Sequence, residues 1–157
     1  MKKIIFTMMI MMISLSLSGC NSTNQEQVSE ELTEAQQADL IIPISEITET
    51  AKFYPVTIDG TAMEVFAVRD SSGNIRTAFN TCQSCYTSGN GRYAVEETDL
   101  VCQNCGFHFT ADQVGENKNG GCSPWAISLE DRTETDDSII ISYDFLANSK
   151  NIFANWK

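Results

Sequence analysis

Apolar positions fall along the chain in three regimes. Ile4 to about Leu15 is nearly unbroken apolar sequence behind Met1, Lys2 and Lys3. Asn21 to Asp39 is almost all polar, with Val28 and Leu32 as its sizeable apolar residues. From Leu40 onward, short β-prone runs alternate with clusters of Gly, Asp, Asn and Ser, the pattern of strands joined by turns.

The third regime predicts a mainly β fold, a small single domain of short antiparallel strands. Order is expected to begin near Leu40–Ile44. Phe53–Ile58 and Met63–Arg69 flank Asp59-Gly60, a strong hairpin signal, and Asp70–Asn74 is a second turn leading into a strand at Ile75–Phe79. This three-strand meander delivers the chain to Cys82. A further hairpin is expected from Arg92–Val95 and Leu100–Val101, and two strands at Trp125–Leu129 and Ser138–Tyr143 across the acidic turn Glu130–Asp137. The tail, Phe145–Lys157, carries Phe145, Leu146, Ile152, Phe153 and Trp156 and is expected to dock on the sheet rather than to anchor in a membrane.

The first regime reads as a signal peptide: a basic start, a short apolar stretch and small residues before a cysteine. The apolar stretch is shorter than the roughly 18 residues that span a bilayer. Leu17-Ser18-Gly19-Cys20 resembles a bacterial lipobox, in which the cysteine thiol receives lipid and the chain is cut just before it. Residues 1–19 are then removed and Cys20 becomes the attachment point; the alternative is an ordinary signal peptide with an incidental cysteine. Residues 20–39 have too little apolar surface to bury and read as a flexible acidic tether, with a short helix possible at Glu30–Ala38. The folded domain is 40–157, held at the extracytoplasmic face of the cell membrane.

Charge narrows the partners. Without Lys2 and Lys3 the chain keeps 8 basic against 21 acidic side chains, a formal charge of −13. Such a surface repels phosphate backbones, which excludes nucleic acid, and favours cations and basic protein patches.

The chemistry lies in the cysteines. Cys82-Gln83-Ser84-Cys85 and Cys102-Gln103-Asn104-Cys105 are two C-x2-C pairs separated by sixteen residues, the spacing of a zinc-ribbon-like metal site with two knuckles. Each two-residue gap lets a tight turn aim two thiolates at one ion. Gly106 suits a knuckle that needs positive φ after its second ligand, whereas Tyr86 follows the first. Two rivals remain: structural disulfides, because an exported chain meets an oxidising compartment, and a redox-active dithiol, which usually needs a helix N-terminus that neither pair obviously provides. Cys122, in Gly120-Gly121-Cys122-Ser123-Pro124, is expected to be a fifth ligand or to lie beside the site, against the alternative of a small buried hydrophobe. His108, the one histidine, lies between Phe107 and Phe109 and reads as a residue alternating on a strand in preference to a ligand.

From Phe79-Asn80-Thr81-Cys82 through Cys85, Cys102–Gly106 and Gly120-Gly121-Cys122, the sequence resembles the FtrD-like family of membrane iron–sulfur-containing proteins. Asp59-Gly60, Val65–Val68 and Gly73–Phe79 match as well, so the resemblance covers about Ile41 to Ile127. The chain departs from the family pattern at Tyr86, Ser123 and His108, and it has no transmembrane helices after the signal, so lipid would replace them as the anchor. The resemblance implies bacterial iron uptake, an iron–sulfur cluster held by Cys82, Cys85, Cys102 and Cys105 with a site role for Cys122, and permease or redox partner proteins in the membrane. Thiolates also suit Zn²⁺ and Cu⁺. Two functions therefore compete: a redox or metal-relay protein, and a structural zinc ribbon that serves as an interaction module. Neither is an enzyme, and no catalytic constellation is visible; thiol–disulfide exchange is the disfavoured enzymatic alternative.

Overall fold

Val65-Phe66-Ala67-Val68 is a continuous apolar run because its strand is buried on both faces, and the architecture is built around it. The computed structural model describes residues 37–115 and 121–156. Cys20, the signal peptide, the tether as far as residue 36, most of the helix expected at Glu30–Ala38, and Gly120 lie outside the described residues.

Four strands form the central sheet: β2 (Lys52–Ile58), β3 (Thr61–Arg69), β4 (Ile75–Cys82) and β8 (Pro124–Ile127), antiparallel in the order β2-β3-β4-β8. The β2–β3 turn is Asp59-Gly60, both with positive φ (47° and 78°), which a two-residue hairpin of this hand requires. Pro55 and Pro124 sit on the two edge strands, where a missing N–H costs the ladder nothing.

Side chains alternate across the sheet, so each face has its own core. Met63, Val65, Ala67 and Phe79 lie on one face with Ile42, Ile139, Ile141, Leu146 and Phe153. Those partners come from a three-stranded sheet, β1 (Leu40–Pro43), β10 (Ser138–Ile141) and β9 (Thr133–Glu134), and from the tail. Phe66, Val68, Ala78 and Cys82 lie on the opposite face with Tyr93, Leu100, Cys102 and Phe109. These belong to the third sheet, β5 (Tyr93–Glu96), β6 (Asp99–Cys102) and β7 (His108–Phe109). The fold is mainly β, in one small domain.

Several boundaries differ from those expected: β4 runs on to Cys82, and the short strand β9 lies within the expected turn Glu130–Asp137. The last strand stops at Ile141, because Ser142 caps a short helix, α1 (Tyr143–Asn148), accepting a hydrogen bond from the Phe145 N–H. The strand beginning near Trp125 ends at Ile127, and Leu129 is exposed. The tail docks on the sheet: Phe145 stacks on Phe79 with ring centroids 5.8 Å apart, and the Trp156 indole donates to the Asn80 carbonyl at 2.7 Å. Tyr143 and Lys150 both bind the Asp59 carboxylate, each at 2.6 Å, which ties the tail to the first hairpin.

Candidate metal centre

Each C-x2-C pair is a turn at the end of a strand. β4 runs into Cys82, whose N–H donates to the Gly91 carbonyl at 2.8 Å, and the Cys85 N–H closes the turn onto the Cys82 carbonyl at 3.2 Å. The chain then makes a 3₁₀ turn, Tyr86–Ser88, with the Ser88 N–H and hydroxyl both donating to the Cys85 carbonyl. Positive φ arrives only at Gly89 (81°). Tyr86, in the place where glycine was expected, packs its ring edge-on against Trp125.

The second pair closes one residue later. β6 ends in Cys102, the Gly106 N–H donates to the Cys102 carbonyl at 2.8 Å, and Gly106 itself takes φ 69°. The Cys102 N–H donates to the Phe107 carbonyl, which turns the chain into β7.

The third contribution comes from far along the sequence. β8 pairs with β4 so that Pro124 lies opposite Cys82, past an irregularity in the register, and this brings Cys122 to the first pair. The sulfurs of Cys82, Cys85 and Cys122 all lie within 4.8 Å of one another, and so do those of Cys85, Cys102 and Cys105. Cys85 belongs to both groups and links them. Among the described residues all five cysteines are free thiols. Cys82, Cys85 and Cys102 are buried, Cys122 is half-buried and Cys105 is exposed, so the centre has an inner wall and one edge at the surface.

The thiols do not share charge evenly. Burial pushes Cys85 up to about 11 and Cys102 up to about 12. Cys122 is pushed up to about 11, first by its hydrogen bond to Cys105 and then by burial. At Cys105 burial works in the same upward sense but is outweighed by the Phe107 N–H and by hydrogen bonds from Cys122, Cys102 and Cys85, so its thiol falls below the ordinary value. The surroundings of Cys105 thus favour its thiolate, with neighbouring thiols donating to it. A cation bound by thiolates displaces thiol protons, so its affinity rises with pH.

The donor set fits a soft metal centre. Five sulfurs converge, and among the described residues neither group includes a carboxylate or an imidazole. Thiolate sulfur selects zinc, copper(I) or iron–sulfur chemistry over magnesium or calcium. Sulfurs around a single tetrahedral zinc, bonded at about 2.3 Å, lie about 3.8 Å apart, which the spacing of either group accommodates. His108 is not in either group; it is exposed on β7 and faces the Asp99 carboxylate at 3.3 Å.

Three residues that shape the centre were not singled out from the sequence. Gly91 packs against the first pair so closely that a Cβ there would lie 2.7 Å from the Cys85 carbonyl carbon and oxygen. Tyr93 is buried and donates its hydroxyl to the Cys122 carbonyl at 2.9 Å; burial first, then the nearby cysteines, holds that hydroxyl protonated. Asn80 accepts from the Tyr93 N–H at 2.6 Å and donates to the Tyr93 carbonyl, which pins the third sheet to β4. An asparagine two residues before Cys82 was the one available signal; the other two contacts join distant segments.

Residues 47–153 match the family described as "Membrane iron-sulfur containing protein FtrD-like". No curated protein matches the chain. Among solved structures the chain is similar to the crystal structure of the quaternary ammonium Rieske monooxygenase CntA in complex with an inhibitor, at 16% identity and a TM-score of 0.44. That similarity covers 77% of this chain and 36% of the monooxygenase chain. The protein belongs to the FtrD-like family of membrane iron–sulfur-containing proteins, and among its described residues no helix is long and apolar enough to cross a membrane.

Proposed function

We propose that this FtrD-like protein is a lipid-anchored electron carrier or metal relay serving iron uptake, with Cys82, Cys85, Cys102, Cys105 and Cys122 as ligands of an iron–sulfur group. The observation that carries the reading is the convergence of five thiols in two groups joined at Cys85, one more than a structural zinc site uses. An iron–sulfur group supplies a one-electron couple whose potential is set by burial and by hydrogen bonds to sulfur.

The chain's own residues do the rest. Cys82 and Cys102, at strand ends, hold the inner side in a rigid frame, and Cys105 brings the outer side to the surface. Phe107, 55% exposed, stands two residues beyond Cys105 and gives a partner an apolar contact beside the centre. The acidic surface steers a basic partner toward it, in the membrane plane to which lipid on Cys20 confines the domain. No proton transfer is required of any residue, so the protein acts as a carrier and not as an enzyme.

A structural zinc ribbon is the second reading, favoured by the two strand-end turns and by Gly106 at positive φ. A redox titration separates them. Full-length protein prepared anaerobically is expected to show visible bands that bleach on one-electron reduction and return on reoxidation. A colourless zinc protein that no reductant changes would overturn the carrier.

A further inference from the structure

Three of the chain's four arginines line one cleft, although the chain carries a formal charge of −11. Arg69, Arg76 and Arg132 share it with Ile44, Leu129 and Glu134 among others, and its volume is about 480 Å³. It lies beside Ile75, at the opposite end of β4 from Cys82, so about 20 Å of extended strand separates it from the sulfur centre.

Arg132 is the centre of the cleft. Its side chain is buried, Nη1 donates to the Thr77 hydroxyl at 2.6 Å and Nη2 to the Ile75 carbonyl at 2.9 Å. Its Nε is buried with no hydrogen-bond partner. A buried guanidinium N–H left unpaired is costly, and proteins retain such a donor where something else satisfies it. The resident carboxylate does not reach this atom and holds only its neighbour, weakly. Glu134 stands 3.4 Å from Nη2, longer than the roughly 2.8 Å of a close charge-assisted bond, and its side chain is 44% exposed.

The other two arginines have donors to spare. Arg76 binds Asp70 through Nε at 2.9 Å, and Arg69 uses Nε and Nη1 on the Ile47 and Gly73 carbonyls. Among the described residues the remaining Nη groups of Arg76 and Nη2 of Arg69 take no hydrogen bond. The lining of this cleft holds three arginines and one carboxylate, Glu134; Asp70 pairs with Arg76 from outside the lining, and Glu130 lines the adjoining cleft beside Arg76 and Arg132.

The geometry points to a binding site for a phosphate group in this cleft, held by Arg132 and Arg76 with Arg69 at the rim and with Glu134 swinging out into solvent as the phosphate enters. Planar guanidinium forks match the tetrahedral oxygens of phosphate two at a time, which a single lysine cannot do. The phosphate is either free or the headgroup of a lipid in the membrane that carries this protein.

Calorimetric titration of the full-length, metal-loaded protein in neutral detergent and low salt tests this with two soluble probes, inorganic phosphate and glycerol 3-phosphate. One saturable site per chain is expected for at least one of them. Tighter binding of glycerol 3-phosphate identifies a lipid headgroup; tighter binding of inorganic phosphate identifies the free ion. Arg76→Gln, half-exposed and outside both cores, is expected to weaken binding at least about tenfold, the loss of a charge-assisted bond. Arg132→Lys, which keeps the charge but not the fork, should weaken it by a similar factor, with circular dichroism showing that the variant folds. Absence of saturable heat with both probes, or Arg76→Gln and folded Arg132→Lys binding like the wild type, would overturn the site.

Discussion

Gly91 and Cys85 touch backbone to backbone: a Cβ on residue 91 would lie 2.7 Å from the Cys85 carbonyl carbon and oxygen and 2.9 Å from the Tyr86 nitrogen. Those atoms belong to the turn that aims Cys85, the sulfur common to both groups. Neither neighbour is the far end of a flexible side chain, so one backbone segment has to move. Gly91→Ala is expected to destabilise the protein by about 1–3 kcal/mol, in the range of other overpacking changes. Urea unfolding measures the loss, and the variant should also retain less metal than wild type. An unchanged midpoint would show that the turn yields freely.

Tyr93 positions Cys122 through its carbonyl. Tyr93→Phe keeps the ring packing against Phe109 and removes only that hydrogen bond. Stability is expected to fall by about 1 kcal/mol, and the visible bands, if the centre holds iron, should shift as Cys122 loses its fixed position. Identical unfolding curves and spectra for variant and wild type would contradict this role.

The two cores should respond separately. Leu146 is fully buried on the face away from the cysteines, packed with Phe79 and Phe153. Leu146→Ala is expected to cost about 2–5 kcal/mol while leaving the folded protein's metal content intact. Loss of metal from protein that remains folded would show that the faces are coupled.

Acid destabilises the second turn by a defined route. Asp70 is buried and accepts hydrogen bonds from the Asn74 side chain, the Asn74 and Ser72 N–H groups and Arg76, which hold its carboxyl down at about 2, against an ordinary 3.8. Because the folded value is the lower one, its contribution is fully present above about pH 4 and disappears as pH falls toward 2. Asp70→Asn should therefore be less stable than wild type at neutral pH and should show a flatter decline across that window, followed by thermal unfolding at a series of pH values.

Local patterns carried much of this fold. Asp59-Gly60 marks its hairpin because both residues must take positive φ, and the unbroken apolar run Val65–Val68 marks a strand that is buried on two sides. The end of the last strand was less legible, since Ser142 extends a β-prone run and also caps the helix after it. The paired cysteine spacing identified two turns, and their strand-end location follows from the apolar runs before them. What spacing does not contain is the grouping. Cys82 meets Cys122 because β8 pairs with β4, a contact between segments some forty residues apart, and Gly91 matters only because the chain returns across Cys85. The arginine cleft is hidden for the same reason: Arg69 and Arg76 come from the two strands of one hairpin, opposite Ile75 and Val68 respectively, but Arg132 arrives from far along the chain.

The central claim is that the cysteine groups joined at Cys85 hold an iron–sulfur centre. Its most direct test is a count of iron, zinc and acid-labile sulfide per chain in full-length protein prepared anaerobically, beside a Cys85→Ser variant prepared the same way. The account predicts iron and sulfide together in the wild type, and neither retained by Cys85→Ser, because removing the shared sulfur opens both groups. Zinc without sulfide in the wild type, or equal iron in both proteins, would contradict it.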